Sequence, residues 1–193
     1  MATRPIATTR SSAGLPTGRL AVWWVLASEI VIFGGLLASY VMHRLAHDAW
    51  TAQAAHTNMK IGACNTLVLL TSSLSAVLAH KAAEVEHNGP KAAKLLLATV
   101  GGGAIFLIIK FGFEWPHEIA EGFTITSSTF WSFYYTAAGL HAAHVAAGMV
   151  ILSIVAADAW RNRELHRVEL IGIYWHFVDI VWIFLFPLLY IAK

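Results

Sequence analysis

The chain has 193 residues, of which 58% are hydrophobic and 12% charged, with a formal net charge of +2; soluble domains carry roughly 25% charged residues. With those few charges gathered between long apolar runs, the composition excludes an ordinary soluble core and defines a multi-span membrane protein. The scattered basic residues form no nucleic-acid surface, so no nucleic-acid partner is expected. The single cysteine, Cys64, excludes an internal disulfide framework and a cysteine-based metal site; its apolar surroundings predict a buried small residue.

In chain order, residues 1–19 read as a flexible N-terminal tail, basic and without the apolar stretch of a secretory signal. Residues 20–193 read as one all-α transmembrane domain. Five stretches are long and apolar enough to cross a bilayer, which needs about 20 residues: Leu20–Met42, Ile61–Ala83, Ala92–Phe113, Thr129–Ala157 and Leu170–Ile191. Hydrocarbon offers the backbone no partners, so each must be a helix. The glycines inside them (Gly34, Gly35, Gly101, Gly102, Gly103, Gly139, Gly148) are expected at close helix contacts. Gly89-Pro90 interrupts the chain between the second and third spans.

Loop charges set the orientation. Arg4, Arg10 and Arg19, Lys81, Lys91 and Lys94, and Arg161, Arg163 and Arg167 fall on one side, nine basic residues against four (Arg44, Lys60, Lys110, Lys193). The excess places the N-terminus in the cytoplasm and the C-terminus outside. The basic groups at Arg19, Lys91, Lys94, Arg161, Arg163 and Arg167 are candidate contacts for phospholipid head groups. An acidic link after the third span, with Glu114, His117, Glu118 and Glu121, falls on the outer face.

Ionisable residues at membrane depth are costly, and each is a candidate site. Glu29 lies about 14 Å along the first span, near the bilayer middle, and is a proton- or gas-path candidate or a structural carboxyl bonded to another helix. His141 and His144 stand at i and i+3 on one face. Glu169, His176 and Asp179 lie within an arc of about 80° on the last span. Together these two faces predict an interhelical network of imidazoles and carboxylates, with haem ligation by His141 and His176 as the alternative. Asn65-Thr66 and Thr71-Ser72-Ser73 carry hydroxyls and an amide suited to bonding between helices. No phosphate loop, nucleophile elbow or paired metalloprotease histidines occur, so no catalytic centre is expected on this chain.

The last span, Tyr174-Trp175-His176-Phe177-Val178-Asp179-Ile180-Val181-Trp182, resembles the final helix of the cytochrome c oxidase subunit III family. Gly139-Leu140-His141-Ala142-Ala143-His144-Val145-Ala146-Ala147-Gly148, Ser28-Glu29-Ile30-Val31-Ile32-Phe33 and Asn65-Thr66-Leu67 are similar to segments of the same family, in the same order. The resemblance implies a short five-helix bacterial form in the inner membrane, with no metal or cofactor of its own. Haem and copper are then expected in partner subunits. It implies direct packing on subunit I beside other oxidase subunits, bound phospholipid, support of proton uptake, a border on the oxygen path, and a place in aerobic respiration that extends to a respiratory supercomplex. It assigns Glu29 to the family's intramembrane glutamate, and His141, His144, Glu169, His176 and Asp179 to its polar network. Lys110 and Glu114 depart from the glutamine-containing version and predict an i, i+4 pair at the membrane edge; that variant resembles accessory subunits of nitric-oxide reductases. The readings that stand beside oxidase subunit III are therefore a nitric-oxide reductase subunit, a membrane b-type cytochrome and a proton-coupled transporter.

Overall fold

The computed structural model describes residues 16–46 and 50–191. Most of the expected N-terminal tail, residues 1–15, lies outside them; its last residues already belong to a helix, α1 (Thr17–Ala46). A short α2 (Trp50–Ala54) leads into α3 (Met59–Glu84). α4 (Gly89–Ile109) continues through a π-helical turn, Lys110–Glu114, into α5 (Trp115–Ala120). α6 (Thr129–Trp160) and α7 (His166–Phe186) follow, the last extended by a second π-helical turn, Pro187–Ile191. The five predicted spans are all present, each of 26 to 32 residues, and no strand occurs among the described residues.

Helix starts are written locally. The Asn58 side chain accepts from the amides of Lys60 and Ile61, starting α3, and Asn88 accepts from Lys91 at 3.0 Å, starting α4 with Pro90 in its first turn. Ser128 caps α6 by accepting from the Trp131 amide. Gly89-Pro90 thus opens a helix rather than lying in a loop. The Gly89 amide is also held by Asn162 Oδ1 at 3.0 Å, and a side chain there would meet the Ala159 carbonyl.

α3, α4, α6 and α7 form the core, with α1 laid along α7 and α6. Lipid is as apolar as leucine, so close contact and polar bonds must hold membrane helices together. Both occur here. A Cβ on Gly102 would lie 2.5 Å from Ser72 Cβ, and one on Gly103 or Gly148 would press on the Trp175 ring. Gly34, Gly35 and Gly101 meet nothing within 4 Å and do not serve as contacts inside this chain. Asn65, Thr66, Ser72 and Ser73 of the polar motif of α3 each bond to another helix, while the hydroxyls of Thr66 and Ser72 also donate to Gly62 and Leu69 of their own. Asn65 donates to the Phe106 carbonyl at 3.3 Å, Thr66 accepts from Trp182 at 3.0 Å, and Ser72 accepts from Trp175 at 3.2 Å. Ser73 meets His176 at 2.6 Å, whereas the Thr71 hydroxyl turns back to Val68 of its own helix.

α1 is the least committed helix. Its buried residues, Leu26, Phe33 and Tyr40, repeat every seven positions and make one narrow stripe. Most of the rest of it, including Trp24, Val31 and Met42, is exposed. Cys64 is exposed as well, correcting the expectation of burial: an apolar setting in a membrane helix marks a lipid-facing position as readily as an inner one.

Candidate functional site: ionisable groups inside the bundle

The polar residues singled out by the sequence separate into four places. The first joins α1 to α6. Glu29 Oε2 lies 2.9 Å from His144 Nε2, both groups largely shielded. The other ring nitrogen of His144 is 2.8 Å from the Leu140 carbonyl, which only accepts, so Nδ1 carries a hydrogen. Phe33 closes edge-on against the His144 ring at 5.3 Å.

The second place is His141, wholly buried, stacked on Trp182 with ring centres 4.9 Å apart and met edge-on by Phe106. Neither ring nitrogen has a hydrogen-bond partner among the described residues. The third is on α7: His176 is bonded to Ser73 of α3, and Asp179, one turn further, is 3% exposed with neither oxygen partnered among the described residues. His141 and His176 are thus engaged with different neighbours. Glu169 stands apart at the helix start, 2.6 Å from Arg19 of α1.

The basic groups differ in their freedom. Lys91 is held by Glu86, and Arg167 by Asp158 at 3.0 Å. Lys94, Arg161 and Arg163 are exposed. Arg167 also ends an apolar groove of about 360 Å³ between α1, α6 and α7, lined by Val22, Val25, Ile151, Val155 and Leu170.

The fourth place is the densest, and sequence reading saw only half of it. Lys110 and Glu114 do pair, at 3.1 Å, but both are buried inside the bundle, 0% and 2% exposed. The acidic link expected after the third span is helical as far as Ala120. Pro116 lacks the amide that would bond back to Gly112, which favours a wide turn at that point. The second wide turn begins at Pro187 and brings Tyr190 opposite the first. Lys110 Nζ donates to Tyr134 at 2.9 Å and to Tyr190, and lies over the rings of both. Tyr134 Oη is 2.8 Å from Glu114 Oε1 and 2.8 Å from Glu118 Oε1. Tyr190 donates to Glu114. The missed members, Glu118, Tyr134 and Tyr190, left one signal: Lys110, Glu114 and Glu118 at i, i+4 and i+8 share a helix face. Among the described residues, no group of three His, Cys, Asp or Glu is placed to hold a metal ion.

Five apolar spans with ionisable groups bonded across helices define a polytopic membrane protein. The sequence model for cytochrome c oxidase subunit III matches residues 7–193, and the chain belongs to that family. Cytochrome c oxidase subunit 3 of Bacillus subtilis is 34% identical over 89% of this chain and 84% of its own length. The Corynebacterium diphtheriae protein of the same name is 33% identical over 87% and 84%. A heme-copper oxidase subunit I+III from Aeropyrum pernix is 29% identical over 90% of this chain and 22% of its own length.

Proposed function

We propose that this chain is the subunit III of a haem–copper terminal oxidase in aerobic respiratory electron transport, seated in a bacterial inner membrane with its N-terminus in the cytoplasm. The observation that carries the reading is the family match across nearly the whole chain, polar spans included. The Aeropyrum pernix relative whose name joins subunits I and III in one chain supports direct packing on subunit I. Haem and copper then sit in partner subunits, and this chain shields a flank of the catalytic one. α1, which buries only three of its residues within the chain, offers apolar surface for that contact or for lipid. The groove ending at Arg167 has the chemistry for an acyl chain with its phosphate at the guanidinium. Glu29 and His144, a carboxyl and an imidazole 2.9 Å apart across α1 and α6, are the groups of this chain best built to support proton uptake.

Purification in mild detergent through a tag on this chain tests the reading. A co-purifying haem–copper subunit with oxygen consumption supports it. Nitric-oxide reduction by the purified complex would assign the chain to a reductase instead, and a chain that purifies alone and carries haem would overturn both.

Within the complex, Glu29→Ala is expected to leave haem content unchanged. It removes one interhelical contact, worth about 0.6 kcal/mol on average in membranes, and touches no cofactor. Haem loss, read from the redox difference spectrum, would contradict the supporting role.

A further inference from the structure

The buried group around Lys110 opens at one end. A polar cleft of about 570 Å³ runs between the link from α2 to α3 and the helix end after the first wide turn, lined by His56, Thr57, Lys60, Glu114, His117, Glu118 and Glu121. Glu114 and Glu118 both line this cleft while staying 2% and 3% exposed, and the Oε2 of each has no hydrogen-bond partner among the described residues; Glu114 is ion-paired with Lys110 at 3.1 Å, whereas Glu118 forms no ion pair among the described residues.

Two independent counts find the group one proton short. The first is charge. Lys110, Glu114 and Glu118 are all within 3% of full burial, which sets one ammonium against two carboxylates. An uncompensated buried charge is far costlier than a neutral acid. The second is hydrogen bonds. Among the oxygens of Tyr134, Tyr190, Glu114 and Glu118 there are three contacts of 2.8 Å or less. Two hydroxyl hydrogens fill only two of them. Lys110 fills none, since its hydrogens sit on nitrogen and are given to Tyr134 and Tyr190, with Glu114 Oε2 as its ion-pair partner at 3.1 Å. Tyr190 serves Glu114, so the pair of contacts at Tyr134 needs one donor beyond its own hydrogen.

We infer that Glu118 is a proton-binding site: its carboxyl carries the missing proton, donates it to Tyr134, and exchanges it with water through the cleft. The ion pair of Lys110 with Glu114 then stays charged and balanced, and the third group switches between neutral acid and carboxylate. The groups that face this carboxyl are Lys110 and Glu114 on the first wide turn, Tyr134 and Tyr135 of α6, and Tyr190 of the second wide turn. His117 and Glu121 face it from its own helix end, and His56 and Lys60 from across the cleft. Tyr135 is already committed, donating to the Phe123 carbonyl at 2.8 Å. Of these groups, only Lys110 is a buried cation, and it is held by Glu114. In the orientation proposed above, the cleft faces the outer side, so the charge of the group follows the pH there.

Infrared spectra of the full chain in its complex test this. The wild type is expected to show protonated-carboxyl C=O absorption that shifts in D₂O and falls as pH is raised, and Glu118→Gln is expected to lose one carboxyl's share of it, leaving that of the buried Asp179. The same variant presents a neutral side chain of the same shape, so it is expected to assemble at wild-type yield. A band that survives unchanged in Glu118→Gln would overturn the assignment. Failure of that variant to assemble would also overturn it, because it would show that a carboxylate charge is required there.

Discussion

Lys110→Ala is expected to destabilise the bundle by about 3–5 kcal/mol, the cost of removing one partner from a buried ion pair. The ammonium is fully buried, bonded to two tyrosines and 3.1 Å from a carboxylate that is itself 2% exposed. Its removal leaves Glu114 charged in hydrocarbon surroundings with only hydroxyls to meet it. The double variant Lys110→Met with Glu114→Gln removes both charges and is expected to recover most of the loss, since an apolar filling of a buried pair is often neutral. Unfolding in mixed detergent, followed by tryptophan fluorescence, reads both. A single variant as stable as the wild type would show that the pair is not a buried charge pair at all.

That group shows what was legible from the sequence and what was not. The five spans were plain, because length and hydropathy alone require helices where no water can satisfy the backbone. Their ends were not, since α4 runs on through Glu114 to Ala120 although charge enters there. A charged residue near a span end reads as solvated, and nothing in a linear sequence tells that two wide turns, each near a proline, bring Tyr190 and Lys110 together. The α3 hydroxyls and amide were legible as interhelical contacts because a polar side chain in hydrocarbon has few alternatives; their partners Trp175 and Trp182 were not, as an indole reads equally as lipid-facing. The histidines and carboxylates of α6 and α7 were read as one network. Glu29 reaches His144, Glu169 turns outward to Arg19, and His141 lies against Trp182. Sharing a helix face fixes direction but not depth, and these residues are spread over several turns. Glycines divide the same way: Gly102, Gly103 and Gly148 are packing sites, whereas Gly34 and Gly35 face outward within this chain.

Trp175→Ala is expected to cost about 3 kcal/mol, the low end of the range for soluble cores, because lipid is as apolar as the site and the loss is mainly of packing. The indole is 0% exposed and touches three helices at once. Its nitrogen donates to Ser72 of α3, and its ring lies so close to Gly103 of α4 and Gly148 of α6 that an added Cβ would come within 2.8 Å and 3.1 Å of it. Two glycines and one large ring therefore form a slot and its filling. Gly103→Ala in the wild type is expected to cost about 1–3 kcal/mol through overpacking, and in the Trp175→Ala background to cost less, since only the flexible Met149 side chain, 3.0 Å from the added Cβ, then stands in its way. The coupling between the two changes is the decisive quantity. If Gly103→Ala is equally costly with and without the indole, the ring does not hold these helices by that contact, and their association rests on the polar bonds of α3 instead.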